Sequence, residues 1–287
     1  MAPSDNGEHI VEAIGKTRVV VKNGAVVDVG ESALKSCPLA RKFSKPVDEI
    51  TKEAVKANIE DRIEKIGMFT DRRSVLSTDD FVIFGASELL SLGMRNGFID
   101  SAVIVCDGAG TIIATTPEVI QGVGGRMSGL VKTSPIRGVI EKLEANGAIV
   151  LYPSRAVIDQ VRGVARATEL GFQRIAVTVS CPKEAERIRR DYPNTLIFGV
   201  HTTGVCKEDA KQFVDNADLI TGCASKWIRQ VAGKAALIQA GTSVPVFAVT
   251  KRGKELLLER VKETQQPLLI KMEKLPYSTD KSPEPLV

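Results

Sequence analysis

Side chains able to bind metals, hold anions or act as bases follow several short apolar runs in the second half of the chain. Thiolates bind soft metals and iron–sulfur centres, imidazole serves as base or ligand, and hydroxyl and ammonium groups hold anions. In a parallel α/β sheet all strand C-termini lie at one edge, so we expect these side chains to converge where ligands usually bind. The group comprises Cys181, His201, Thr203, Cys206, Cys223 and Lys226.

The densest glycine segment lies between positions 107 and 135 and contains Arg, Ser and Lys side chains. Such bare backbone can approach an anion closely. The segment is not a P-loop, because Val131 stands where a glycine must precede the lysine, and Met127 stands where the dinucleotide fingerprint needs its third glycine. Glycine-rich turns also occur for geometry alone, so an anion site and a structural turn both stay open.

A first hypothesis is therefore a binding site for an anionic small molecule carrying a phosphate, sulfonate or carboxylate. Glycine backbone and helix N-termini would surround the acidic group, and polar side chains would line the same sheet edge. The predicted binding residues are Gly108, Gly110, Gly124, Gly125, Arg126, Ser128, Lys132, His201, Thr202, Thr203, Ser225 and Lys226.

A second hypothesis is a metal or iron–sulfur site that uses some of the five cysteines, with His201 as a further ligand. The candidates are Cys37, Cys106, Cys181, Cys206 and Cys223, of which Cys37 and Cys223 are the predicted metal ligands. The chain has no Cys-x-x-Cys pair, so every ligand would come from a separate loop. Cysteine is also among the most often buried residue types, and Cys106 at the end of an apolar run fits the core best. A lone histidine after a strand is more often structural than catalytic.

The elements that position these residues begin with a hairpin. Residues 18–30 place Asn23-Gly24 between two β-branched runs, which is typical of a type I′ turn. Residues 50–67 carry apolar side chains at helical spacing and end at Gly67. Residues 81–84 and 102–106 resemble buried strands.

Helix and strand patterns alternate from position 135 to position 262, which is typical of parallel βαβ units. Ser154 is expected to cap one of these helices. We therefore predict an α/β fold with a mainly parallel sheet flanked by helices and an N-terminal β-hairpin elaboration. The expected parts are residues 8–132, with the hairpin and the glycine-rich loop, residues 133–263, with the βα repeats, and a weakly ordered tail at 264–287.

Composition narrows the classes of protein. The 287 residues are 43% hydrophobic and 26% charged, and 39 basic against 35 acidic residues give a net charge of +4. This interspersed charge argues against a nucleic-acid partner. No stretch approaches the ~20 apolar residues of a membrane span, and the start lacks a signal-peptide pattern, so we expect no membrane partner and a cytoplasmic location. Five cysteines without paired spacing indicate reduced thiols.

Several stretches resemble an archaeal family, the methanogenesis marker protein 8 family. The resemblance spans residues 8–263 and implies a methane-forming anaerobe as the host, but no settled activity, cofactor or catalytic residue. It adds a third hypothesis, a noncatalytic assembly or maturation factor whose partner is a methanogenesis enzyme, methyl-coenzyme M reductase. The resembling stretches are residues 9–21, 37–39, 102–110, 122–130, 175–179, 201–204, 223–226 and 253–260.

Overall fold

The computed structural model describes residues 7–125, 129–241, 243–270, 272–278, 283 and 286–287. Within these residues the strands are β1 (Glu8–Glu12), β2 (Arg18–Lys22), β3 (Ala25–Val29), β4 (Ser101–Cys106), β5 (Gly110–Ala114), β6 (Gly129–Lys132), β7 (Ile149–Val150), β8 (Ile175–Val179), β9 (Leu196–Gly199), β10 (Leu219–Thr221), β11 (Ile238–Ala240) and β12 (Val246–Ala248). The helices are α1 (Lys52–Ile66), α2 (Ala86–Arg95), α3 (Pro117–Gly124), α4 (Arg137–Ala145), α5 (Gln160–Glu169), α6 (Pro182–Asp191), α7 (Lys207–Asn216), α8 (Lys226–Ala235) and α9 (Lys251–Glu263).

The predicted hairpin is confirmed as β2–β3, and it belongs to a small antiparallel sheet of order β3-β2-β1-β6. Asn23 and Gly24 have φ angles of 51° and 71°, as a type I′ turn requires. The predicted amphipathic helix is confirmed as α1, which ends at Gly67 in the left-handed conformation. Its buried residues Val55, Ile59 and Ile63 share a core with this sheet.

The second sheet has eight strands in the order β11-β12-β10-β9-β8-β4-β5-β7. The α/β class is confirmed, but a mainly parallel sheet is not. Among the strands of the described residues, only the pairs β4–β8, β8–β9 and β9–β10 are parallel, and antiparallel strands flank this centre. One cause is the turn after β4, where Gly108 and Gly110 take positive φ angles and reverse the chain into β5.

Four local predictions were wrong. Residues 81–84 form bends instead of a strand, because the Glu88 carboxylate accepts hydrogen bonds from the amides of Phe81 and Val82. The helix expected after Ser154 begins only at Gln160, where the Asp159 side chain caps it.

Part of the expected glycine-rich loop is helical, and the strand that the alternating pattern predicts after the first of its helices is shorter than expected. Part of the glycine segment is helix α3, in which Gly122 packs on Val75: an added Cβ would lie 2.3 Å from the Val75 carbonyl oxygen. The expected strand contracts to β7, since only Ile149 and Val150 pair with β5. Backbone contacts of this kind leave no periodic signal in a sequence.

A buried polar junction joins the two sheets. Arg73 Nε donates to Asp107 Oδ1 at 2.9 Å, and both side chains are fully buried. Asp107 Oδ2 accepts from the Phe69 amide at 2.7 Å. His9, in β1, lies with Nδ1 2.7 Å from Thr133 Oγ1, and the Gly108 amide donates to that same oxygen. The junction fixes the small sheet above the end of β4.

The expected parts of the chain share one sheet. Strands β4 and β5, from before residue 132, pair with β8 and β7, from after it. In the tail, the described residues beyond 263 form neither helix nor strand, while Val287 exchanges backbone hydrogen bonds with Ala224 and Lys226. No helix in the described part of the chain is long and apolar enough to cross a membrane.

Candidate functional site

Two adjoining cavities lie at the C-terminal ends of β4, β8 and β9. The first, of about 120 Å³, is lined by the ends of these strands, including Thr178 and Ser180, and by the start of α2. The second, of about 260 Å³, lies between this edge and the small sheet. Ser87, Gly124 and His201 line both, so the cavities form one cleft.

The second cavity has an unusual backbone. Three of its lining residues, Lys16, His201 and Cys223, have φ angles of 59°, 54° and 39°. A left-handed conformation costs a non-glycine residue roughly 1–2 kcal/mol. Only three other described non-glycine residues share it, and one of these is the hairpin residue Asn23. Strained residues gathered around one cavity are typical of a functional site.

His201 joins the glycine-rich segment to the strand edge. It follows β9, and a Cβ added to Gly129 would lie 3.5 Å from His201 Cγ, so the ring stands beside the start of β6. His201 lines both cavities and is exposed to solvent at the cleft. Partial desolvation by the surrounding protein lowers the pKa of His201, so the imidazole is neutral at pH 7.

Cys37 and Cys223 line the second cavity from different sides. Cys37 precedes α1, and burial raises the pKa of its thiol, with the charge of Cys223 acting in the same direction. Cys223 precedes α8, and its sulfur lies 3.4 Å from Thr221 Oγ1. The Arg229 side chain donates to the Cys223 carbonyl oxygen at 2.7 Å, and its charge interacts with the Cys223 thiol.

Sequence reasoning missed the acidic residues of the cleft. Glu184, in the first turn of α6, lines the first cavity, and burial raises the pKa of its carboxyl group, as does nearby Asp159. Glu88 lines the second cavity and accepts from Ser87 Oγ at 2.9 Å. Glu184 lies two residues after Pro182, and that position at the start of a helix following a strand was the available signal.

Lysine and arginine at the second cavity were missed as well. Lys16 and Arg62 line it, and the Lys16 ammonium lies close to Gly204 in the turn after His201: a Cβ on Gly204 would stand 3.4 Å from Lys16 Nζ. Arg62 lies over the Phe43 ring with 4.9 Å to its centroid. Neither residue belongs to an apolar run or a glycine motif, so the sequence offered no reason to choose it.

The structure brings part of the predicted binding set together. Gly124, Gly125, His201 and Thr203 line the cleft, as do the proposed metal ligands Cys37 and Cys223. Arg126 and Ser128 lie outside the described residues.

Other predicted binding residues lie away from the cavities. Lys132 pairs with Glu8 at 3.0 Å, and Lys226 lies over the Trp227 ring with 5.1 Å to its centroid. Gly108 and Gly110 form the β4–β5 turn.

Two predicted hydroxyls are used inside the fold. Thr202 donates to the Thr221 carbonyl oxygen at 2.6 Å, and Ser225 caps α8 by accepting from the Ile228 amide. Within the ranges that the structure describes, no three His, Cys, Asp or Glu side chains are placed to share a metal ion.

Comparison with known proteins gives a family without an assigned activity. A family model described as an uncharacterized protein conserved in archaea (DUF2099) matches residues 9–262. The uncharacterized protein MJ0054 of Methanocaldococcus jannaschii is 45% identical over 282 residues, which cover 97% of this chain and 99% of the relative.

Among solved structures, a chain of the F420-reducing [NiFe] hydrogenase complex from Methanosarcina barkeri is similar over 62% of this chain and 72% of that one. The identity is 14% and the TM-score 0.35, too low for any inference about fold or function.

Proposed function

We propose that this chain, which belongs to the archaeal family of uncharacterized proteins DUF2099, binds an acidic small molecule or cofactor in the cleft at the strand C-terminal edge. The observation that carries the proposal is the clustering of Lys16, His201 and Cys223 in left-handed backbone around the second cavity. Glycine would adopt this backbone without strain, so non-glycine residues at three such positions around one cavity favour a role for their side chains in binding a ligand.

The two cavities suit different parts of such a ligand. The second is lined by Glu12 and Glu88 as well as by Lys16 and Arg62. We assign the acidic group to the neighbourhood of Lys16, because its ammonium is the more exposed of the two cations. The first holds the neutral imidazole of His201 and the Glu184 carboxyl group, whose pKa is raised. These groups suit a neutral part of the ligand that forms hydrogen bonds.

The test is thermal shift followed by calorimetric titration with inorganic phosphate, coenzyme M, coenzyme B and ATP. Lys16→Met keeps the length of the side chain and removes its charge, so we expect about a tenfold loss of affinity for whichever probe binds, since one charge-assisted hydrogen bond contributes about 1.5–3 kcal/mol.

Lys132→Met is the matched control, because Lys132 is an exposed lysine that pairs with Glu8 outside both cavities. Equal losses in the two variants, or no binding of any acidic probe, would contradict the proposal.

The resemblance to methanogenesis marker protein 8 supports a role of this binding in methanogenesis, and the relative from Methanocaldococcus jannaschii supports an archaeal setting. The cytoplasmic location and the partnership with methyl-coenzyme M reductase stay predictions. Pull-down of the reductase subunits with the tagged protein tests the latter.

A cysteine-ligated metal is the second candidate, because Cys37 and Cys223 line the same cavity. It lacks a third ligand among the described His, Cys, Asp and Glu side chains. Protein purified without oxygen that carries stoichiometric iron and sulfide, with the matching absorption bands, would favour this candidate over an acidic small molecule.

A further inference from the structure

Two of the five cysteines line the second cavity, and they come from different layers of the fold. Cys37 lies in the loop between β3 and α1, beside the small sheet, and Cys223 lies in the loop between β10 and α8, at the edge of the large sheet. The others are placed differently: Cys106 is buried in the core, Cys181 precedes α6, and Cys206 is exposed before α7.

The surroundings of the two thiols are unequal. The Cys223 sulfur lies 3.4 Å from the Thr221 hydroxyl, and the Arg229 side chain donates to the Cys223 carbonyl oxygen. Cys37 packs against the apolar core of the small sheet, which favours the protonated thiol. A thiolate is the nucleophile in disulfide exchange, and a second thiol within reach completes the reaction.

We propose that Cys223 and Cys37 form a redox pair that reduces a low-molecular-weight disulfide in the second cavity. The Cys223 thiolate attacks one sulfur of the disulfide, forms a mixed disulfide and releases the first small thiolate. Cys37 then attacks the Cys223 sulfur, and the second small thiolate leaves with the Cys37 proton. Two protein thiols are oxidised to one Cys37–Cys223 disulfide, and one small disulfide is reduced to two thiols.

The site has room and access for such a substrate. The second cavity measures about 260 Å³, and both cysteines are partly exposed. Cys223 is also held in position, because the Arg229 side chain donates to its carbonyl oxygen and Ala224 donates to Thr203 Oγ1 at 3.4 Å. Two partly exposed cysteines from different layers that line one cavity differ from cysteines that only fill the core.

The inference uses the same cleft as the proposed function but does not require an acidic ligand. Binding of acidic probes without disulfide formation would overturn only the redox pair. Disulfide formation without binding of any acidic probe would overturn only the acidic-ligand proposal.

The test uses the full chain with Cys181→Ser and Cys206→Ser, reduced without oxygen and treated with 5,5′-dithiobis(2-nitrobenzoate). We expect release of two nitrothiobenzoate ions per chain and a product about 2 Da lighter than the reduced protein, with no adduct, because Cys37 resolves the mixed disulfide. Peptide mapping should find Cys37 joined to Cys223.

Single substitutions test the two roles. Cys37→Ser should release one ion and keep a stable adduct on Cys223, whereas Cys223→Ser should slow the release at least about tenfold. Because Cys223 has positive φ, Cys223→Gly serves as a second variant with relaxed backbone.

Three results would overturn the redox pair. One is a stable adduct on both cysteines, another is an equal reaction rate in Cys37→Ser and Cys223→Ser, and the third is reaction only after a chelator removes bound metal.

Discussion

Two groups of histidine, cysteine and acidic side chains stand in opposite environments. The buried polar junction contains His9, Cys106 and Asp107, all with 0% exposure. The cleft contains His201, Cys223 and Glu184, all of which line cavities. The residue types are nearly the same, so type alone does not separate structural from functional groups.

What separates them is the partner of each polar atom and the state of the backbone. Both oxygens of Asp107 accept hydrogen bonds from inside the fold, from Arg73 and the Phe69 amide. His201 and Cys223 instead face a cavity from strained, left-handed positions. The comparison predicts that changes in the junction act on stability, whereas changes in the cleft act on ligands.

The largest expected effect is from Arg73→Met. It leaves the buried Asp107 carboxylate without its cation, and breaking a buried pair on one side costs about 3–5 kcal/mol. Urea unfolding followed by circular dichroism measures the change. The control is Arg162→Met, since Arg162 pairs with Glu169 at the surface and such pairs contribute about 0–1 kcal/mol. Equal losses of unfolding free energy in Arg73→Met and Arg162→Met would contradict the prediction that changes in the buried polar junction act strongly on stability.

The next effect is the dependence of stability on pH. Burial lowers the pKa of His9, so between about pH 6.5 and its folded value the unfolded chain binds a proton that the folded chain does not. Stability is therefore present above pH 6.5 and is lost as pH falls, by at most about 1.4 kcal/mol per pH unit for each histidine.

The chain has only two histidines, so substituting each in turn shows which one causes the loss of stability at low pH. His9→Leu should flatten the free energy of unfolding between pH 6.5 and 5 more than His201→Asn does, because His9 is fully buried and His201 is reachable by solvent. A larger flattening in His201→Asn than in His9→Leu would mean that His201, in the cleft, is the structural histidine.

The sequence predicts a feature of this fold only where that feature leaves a local pattern in the sequence. The hairpin at Asn23-Gly24 and the helix ending at Gly67 were predictable, because turn chemistry and periodicity are local. The convergence of the turns that carry His201 and Cys223 was predictable too, since parallel strands β8, β9 and β10 end at one edge. Gly124 reaches the same cleft from the end of α3, which this rule does not cover.

The remainder depends on contacts between distant residues. Lys16 and Glu184 enter the cleft only because the small sheet and α6 are placed beside it. Lys16 has no local motif, and the only signal for Glu184 is its position at the start of a helix after a strand. The junction of Arg73 with Asp107 joins residues 34 positions apart. Lys132 and Lys226 were chosen for their charge, but the fold gives them Glu8 and Trp227 as partners.

A substitution in the cleft should weaken ligand binding and leave stability nearly unchanged, which is the opposite of the effect expected from Arg73→Met. Asparagine tolerates left-handed backbone, so His201→Asn keeps the turn and should change the free energy of unfolding at pH 7 by less than about 1 kcal/mol. It removes the ring that lines both cavities, and we expect about a tenfold weaker affinity for the acidic probe that binds the wild type. Calorimetry and urea unfolding on the same sample measure both; a large stability loss with unchanged affinity would make His201 a structural residue.

The smallest effect on stability is expected at Glu184, where the direction of the change distinguishes a buried carboxyl group without a partner from one with a favourable partner. Burial raises the pKa of its carboxyl group, so the folded chain holds a proton more tightly than the unfolded chain. The stability this gives is complete below about pH 4.5 and is lost as pH rises through the folded pKa. Glu184→Gln carries no such charge and should be more stable than the wild type at pH 7, by less than about 1 kcal/mol, with the difference vanishing near pH 4. Thermal unfolding between pH 4 and pH 7 measures this difference in stability. A destabilised variant at pH 7 would mean that the Glu184 carboxylate has a favourable partner in the fold. The first cavity would then be a structural region like the buried polar junction.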